Sequence, residues 1–480
     1  MRHETTVTCQ GQTVLEVPLH RLCVAASAEQ GREGQGWVNI KIILCINELF
    51  SSFFMKKNIC LLILLCTYLA GCNTEKIQNL QLHGDLIAKQ IVTAKFILPE
   101  AYSEPEITWS LASSPDSIWQ ELSGITTNEI VLLTSYEGKY LKCKVEATSV
   151  PGGKKISSEI ISSEKIEVRG NADTDWFRDA GFGIMFHYLS SNMVQDKGSK
   201  EWNDAVNSFD TEKFAYDVSR SGAGFVMVTL GQNSGYYCSP NAVFDSVVGV
   251  RPGDLCSTRD LPMDIIKSLK KYNIPVILYL PSNPPISNKL VSEKFRYSYG
   301  KDSATSQFNQ PILEDMIREW SLRYGTDVKG WWFDGLYDWN NIRSTRMDMS
   351  LKHNISTHTL AAKAGNKNSI VTYNYGFGTI HVNTPYCDYS SGEKQTIDEF
   401  PSSRWVEPGV QWFLFTYLGE KWGGSGSQFK TEELVEKAKK IVQGEGVLCL
   451  EVVVNTKGDI LPDHLGQIKA VGKGLGKTPN

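Results

Sequence analysis

Between Gly330 and Gly335 the chain reads GWWFDG, three bulky apolar residues running straight into a carboxylate, Asp334, with glycine after it. At the end of a buried strand, such a carboxylate can attack an anomeric carbon or stabilise positive charge that develops beside it. The alternative is an ordinary loop or helix-capping aspartate. The cysteines do not suggest metal or redox chemistry: beyond Cys72 only Cys143, Cys238, Cys256, Cys387 and Cys449 remain, widely spaced, with no CxxC or zinc pattern, and they read as free buried thiols. No metal-ligand cluster and no cofactor motif is present, so neither a metal nor a cofactor is expected.

The elements that would position Asp334 come from the second part of the chain. FGIMFHYLS, GAGFVMVTL, NIPVILYLPS, VKGWWFDGLY and NSIVTYNYG are short runs, apolar at nearly every residue, separated by helix-like stretches such as LPMDIIKSLKKY. VQWFLFTYLGE and GVLCLEVVVNTKG extend the series. Strands of this kind are buried on both faces, as in a parallel sheet covered by helices. Some 300 residues of this repetition, with no glycine-rich phosphate loop after the first strand, predict a (β/α)₈ TIM-type barrel over 171–480, whose chemistry lies at the C-terminal strand ends. Residues 77–168 read instead as all-β, with short alternating stretches between Ser, Pro, Gly and Asn turns. TWSLASSPDSIWQEL followed by EGKYLKCKVEA resembles the Ig-like modules appended to bacterial surface enzymes, with Trp109 and Cys143 as core positions; 72–170 is therefore expected to be an Ig-like β-sandwich with a short tether, acting as a spacer. The fold class is thus multidomain, a sandwich followed by a barrel.

The 480 residues carry 49 Lys plus Arg against 53 Asp plus Glu, a net charge of −4, which gives no support for a nucleic-acid partner, since backbone binding needs a concentrated basic face. The 12 Trp, 19 Tyr and 19 Phe suit a sugar-stacking cleft as well as a core.

Over 176–475 the chain resembles the α-L-fucosidases of glycoside hydrolase family 29. GFGIMFHYLS matches the family's first strand, with His187 in its histidine position and Tyr188 where a Trp is usual. Glu201 and Trp202 match a glutamate-tryptophan segment, the RDL at Arg259 precedes the third strand, and WFDG at Trp332–Gly335 matches the nucleophile motif. LEVVVNTKGDILPDHLGQIKAVGKGL resembles the family's last strand and closing helix. The resemblance implies a retaining exo-glycosidase acting on a glycan, with Asp334 as nucleophile and Glu393, in DYSSGEKQ, as acid/base; Glu407 in RWVEPG is the rival for that role. It implies sugar contacts from His187, Glu201 and Trp202. Where the family carries two adjacent histidines this chain has Gln232 and Asn233, which opens an α-L-galactoside preference or a binding-only role. Tyr375, next to a retained Asn374, stands near the place of an arginine, and Trp405 is a further sugar-binding candidate.

Near the start, MKKNICLLILLCTYLAGCN from Met55 has a basic pair, an apolar run too short to remain as a spanning helix, and LAGC, which resembles a bacterial lipobox. The expectation is a signal over 55–71, lipidation and membrane attachment at Cys72, and export to the outer membrane or cell surface. Residues 1–54 then read as a spurious upstream extension.

Overall fold

The computed structural model describes residues 76–480, apart from 286, 298–302, 338–341, 379 and 478–480 and the side chains of 303–306 and 342–344; before residue 76 it describes only four strands. The chain divides into two compact units, Met1–Glu75 and Lys76–Asn480. In the first, β1 (Val7–Thr8), β2 (Val14–Leu15) and β4 (Val38–Leu44) all pair with β3 (Val24–Gln30). The expected signal segment and Cys72 lie outside the described residues.

The second unit opens with two antiparallel sheets. One has the order β5 (Gln78–His83), β6 (Ile91–Ile97), β9 (Glu129–Val131). The other runs β11 (Lys155–Ile161), β10 (Tyr140–Thr148), β7 (Glu106–Ala112), β8 (Gln120–Glu121). Strict alternation in β10 turns Leu141, Cys143, Val145 and Ala147 inward, and Cys143 lies directly opposite Trp109 on β7. The Trp109 indole N–H donates to the Thr127 carbonyl at 2.8 Å, which satisfies its one polar group inside the core.

Seven strands form the parallel sheet, in the order β16 (Ile370–Tyr373), β15 (Val328–Asp334), β14 (Val276–Pro281), β13 (Val226–Thr229), β12 (Phe182–Phe186), β20 (Val447–Glu451), β19 (Phe413–Tyr417). The small hairpin β17 (Trp405–Glu407) and β18 (Val410–Gln411) precedes β19. Alternation along these strands explains why they are apolar throughout. Met185, Met227, Ile277, Trp332, Phe415 and Cys449 form one buried cluster on the concave side, whereas Ile184, Val228, Leu278, Phe333 and Leu450 join the cluster under the helices. Phe177 closes the floor of the inner cluster, its ring centroid 4.9 Å from Phe225, 5.1 Å from Tyr389 and 5.4 Å from Phe413.

The closed eight-stranded barrel expected from the sequence is here a curled sheet of seven ladder strands. The gap between β16 and β19 is spanned by the segment from Asp388 to Lys394, which makes only isolated parallel bridges, Tyr389 with Gln411 and Glu393 with Phe415. The reason is local. Gly392 has φ +67°, and a Cβ there would stand 2.2 Å from the Phe413 carbonyl oxygen, so only glycine fits and the extended run is interrupted. The Ser390 hydroxyl also takes over ladder bonds, accepting from Phe413 N and donating to Phe413 O, both at 2.9 Å. The five cysteines from Cys143 onward are buried and unpaired. Among the described residues, no helix is long and apolar enough to cross a membrane.

Candidate active site

At the C-terminal end of the sheet a cavity of about 290 Å³ opens, lined by residues in or just after five of the strands, by Glu393 and by the loop around Trp422. Asp334 ends β15 in register with Pro281 of β14, and the chain leaves the sheet at once through Gly335, whose φ is +81°. That left-handed φ favours glycine after the carboxylate, and a Cβ there would also meet Asn283 Oδ1 at 2.5 Å. Four donors hold the Asp334 carboxylate. Oδ1 accepts from Gly335 N at 2.8 Å, Asn374 Nδ2 at 2.9 Å and the Tyr337 hydroxyl at 3.0 Å; Oδ2 accepts from the Tyr279 hydroxyl at 2.6 Å. Tyr279 accepts in turn from Gln232 Nε2 at 2.7 Å and stacks on Trp332 with centroids 5.1 Å apart. Burial first, and then the adjacent Asp334 carboxylate, hold the Tyr279 phenol well above its ordinary range, so it remains a donor.

Glu393 comes from the irregular segment between β16 and β19. Its Oε2 accepts from the same Asn374 Nδ2, at 2.5 Å. Because one nitrogen reaches both carboxylates, at 2.9 and 2.5 Å, the two bonded oxygens can be no farther apart than those distances laid end to end. Two carboxylates held this close are compatible with the roughly 5–5.5 Å spacing of retaining glycosidase pairs. The environments of the two carboxyls differ. Burial, and then the charge of Asp334, push Glu393 up to about 7, against the opposing Asn374 bond and the His187 charge.

His187 follows β12 and is 13% exposed; its Nδ1 meets Glu451 Oε1 at the end of β20. Burial opposes a charge on the imidazole, but the Glu451 carboxylate and its hydrogen bond outweigh this and raise His187 above its ordinary value. Gly423 N donates to both Glu451 oxygens, at 3.1 and 2.9 Å, and so ties the Trp422 loop to the strand end. Leu189, Trp332, Phe415 and Trp422 supply apolar wall, and Ser191, Asn192 and Gln232 supply polar wall. The cavity is at the small end of the ~300–1,000 Å³ range of ligand clefts.

The structure therefore brings together Asp334, Glu393, His187 and Gln232. It places the other sequence candidates elsewhere, for identifiable reasons. Trp202 is fully buried, with its indole N–H bonded to Tyr237 O at 3.0 Å and its ring 5.7 Å from Tyr188; in the helix Ser199–Ser208 it shares the inward face with Ala205 and Val206, and Glu201 is on the exposed side. Asn233 is a turn residue whose carbonyl accepts from Ser287 N at 3.0 Å, outside the cavity lining. Tyr375 points to His381, hydroxyl to Nδ1 at 3.0 Å, and its neighbour Asn374 takes the place between the carboxylates. Trp405 lies under the Arg404 guanidinium, 4.1 Å from its ring centre, in the hairpin before the start of β19. That is the opposite end of the sheet from Asp334, and it removes Glu407, exposed in the same hairpin, from the choice of acid/base.

Glu451, Tyr279 and Trp422 were not anticipated. The first two carried only a weak signal, as polar interruptions inside the apolar runs LCLEVVV and VILYLP, which neither of them ends. Trp422 carried none, being an aromatic residue in a glycine-rich loop.

Solved structures to which the chain is similar include endo-fucoidan hydrolase MfFcnA4 from glycoside hydrolase family 107, with a TM-score of 0.49 and 15% identity, covering 63% of this chain and 53% of that one. An alpha-L-fucosidase GH29 from Bacteroides thetaiotaomicron gives a TM-score of 0.47 and 15% identity over 64% of this chain and 74% of that one. The chain thus spans about half the length of the first of these. No curated protein matches the chain by sequence. The Alpha-L-fucosidase family pattern matches residues 204–478, more than half of the chain and the part that holds Asp334, Asn374, Glu393 and Glu451. On that match, the chain belongs to the alpha-L-fucosidase family of glycoside hydrolases.

Proposed function

We propose that this chain is a retaining exo-glycoside hydrolase acting on α-L-fucosides, with Asp334 as nucleophile and Glu393 as general acid and base. The observation that supports the reading is the Asn374 amide shared by the two carboxylates, which brings them close enough for retaining chemistry. Asp334 attacks C1 while Glu393 gives its proton to the departing oxygen, and an ester to the sugar forms. The ester removes the negative charge that helped raise Glu393, so the now ionised Glu393 is suited to take a proton from water, which attacks C1 and frees Asp334. The shallow apolar wall at Leu189, Phe415 and Trp422 suits the methyl group and C–H face of a 6-deoxy sugar. Gln232, an amide where the resemblance places a histidine, favours a second reading in which the sugar is an α-L-galactoside, with one more hydroxyl to bond.

Hydrolysis of aryl α-L-fucoside and α-L-galactoside by the purified protein, with Asp334→Asn as control, tests both readings. Turnover of one glycoside that disappears in the variant is expected. Silence of folded wild-type protein on both would favour a binding-only protein. In the same reading the segment from Asp388 to Lys394 stands in for an eighth barrel strand and the antiparallel sheets form an Ig-like module. LAGC at Leu69–Cys72, after the basic pair and apolar run, supports an exported lipoprotein at the outer membrane or cell surface. Fatty-acid labelling that survives Cys72→Ser would refute that placement.

A further inference from the structure

The antiparallel module is packed into the parallel sheet's own core, and one of its side chains reaches the segment that bears Glu393. Lys89, between β5 and β6, has φ +76° and is 2% exposed. Its ammonium leaves the module and donates to the carbonyls of Pro385 at 2.7 Å and Cys387 at 3.0 Å. The next residue, Asp388, is buried and fully engaged. Oδ2 pairs with Lys363 Nζ and accepts from Val371 N, both at 2.9 Å, and Oδ1 accepts from Asn171 Nδ2 at 2.9 Å. From this anchor the backbone runs along β19 for five residues to Glu393, with Ser390 N donating to Gln411 O at 3.0 Å and Phe415 N to Gly392 O at 2.8 Å.

A buried ammonium is costly unless it is bonded, and both carbonyls that Lys89 meets belong to this one segment. Around it the two parts are joined by further polar contacts, Gln90 to Asp173 at 3.0 Å, Lys367 to Thr93 at 2.7 Å and Asn354 to the Gly124 carbonyl at 2.9 Å. Their apolar clusters are continuous: Ile130 and Leu132 of the module belong to the same buried cluster as Ile355 and Val371. A flexible spacer would have none of these.

We propose that Lys89 is a positioning residue for Glu393: the module fixes the start of the segment that carries the general acid, and the catalytic unit is the whole of 76–480. This rests on the reading of Glu393 as acid/base. Displacing an acid by a fraction of its hydrogen-bond length matters most when the leaving group needs its proton, and misplacement of about 1 Å can lose on the order of 10²-fold. The test compares kcat/KM, which reports the first bond cleavage, on an α-L-fucoside with a poor leaving group, such as the 4-methoxyphenyl glycoside, and on the 2,4-dinitrophenyl glycoside, whose leaving group needs no acid. Lys89→Met is expected to lose about tenfold to a hundredfold on the first and to stay close to wild type on the second. Glu393→Gln should show the same pattern in larger measure, and Lys89→Gln, which keeps a neutral donor, should lie between Lys89→Met and wild type.

Equal losses on the two substrates, or none, would overturn the assignment of Lys89. So would failure of both Lys89 variants to fold, as judged by circular dichroism, since Lys89 would then be structural. If Glu393→Gln itself shows no dependence on the leaving group, the acid/base reading fails first. If wild-type protein turns over neither substrate, the fucosidase reading fails.

Discussion

Replacing Glu393 by Gln should make the protein more stable at alkaline pH and leave it nearly unchanged in acid. In the folded chain Glu393 ionises at about 7 instead of the ordinary 4.5, because burial and then the Asp334 charge disfavour its carboxylate. Between those two values the folded state holds a proton that the unfolded chain has released. The group's contribution to stability is therefore complete below the unfolded value and is lost as pH rises through the folded one. At about 1.4 kcal/mol per pH unit, the gap amounts to about 3 kcal/mol by pH 8. Gln keeps the shape and can still accept from Asn374 Nδ2, but it does not ionise. Its advantage in unfolding free energy should thus be close to zero near pH 4.5 and grow to about 3 kcal/mol by pH 8. Melting temperatures of wild type and Glu393→Gln across that pH series are the assay. Parallel curves with a constant offset would refute the reasoning, because they would mean that Glu393 ionises alike in both states. The same titration should appear in wild-type kcat/KM as an alkaline limb near the value given above, absent from Glu393→Gln.

Tyr279→Phe should keep the stack on Trp332 but remove a donor from Asp334 Oδ2 and leave Gln232 Nε2 without its acceptor. A hydrogen bond to a charged group is worth about 1.5–3 kcal/mol, so kcat/KM should fall by about tenfold to a hundredfold; an unchanged value would show that the phenol does not support the nucleophile. Glu451→Gln removes the largest influences that raise His187 while its burial remains, so the His187 titration, followed by NMR, should move down and leave the imidazole neutral at a pH where wild type is still charged. An unmoved titration would mean that the pair does not set the charge of that wall.

Much of the sheet was legible because strands buried on both faces have to be apolar at every residue, and a polar residue that ends such a run stands at a strand end. That logic found Asp334 but not Glu451 or Tyr279, because Val452–Val454 follow the first and Leu280 and Pro281 the second, so neither ends its run. Helical period would have corrected Trp202: with Ala205 and Val206 at three and four residues' spacing it belongs to an inward face. Glu393 follows no apolar run. It sits after SSG in an irregular segment, and its identification came from the resemblance alone. The hairpin that carries Trp405 and Glu407 directly precedes the VQWFLFTY run, so in a parallel sheet the same reasoning places both at the end opposite Asp334.

By itself the amino-acid sequence determined the strands, their burial on both faces and the end at which Asp334 emerges, since these depend on residue types a few positions apart. It also carried the ordered motifs that mark the family. Only the tertiary structure decided that Asn374 stands between Asp334 and Glu393, that the ladder stops at seven strands, and that Lys89 reaches the carbonyls of Pro385 and Cys387. These are contacts between residues from 19 to 298 positions apart. A lysine between two short strands has the same local pattern whether its ammonium faces water or a carbonyl brought in by another part of the chain, and it is the packing of the module against the sheet that selects the carbonyl.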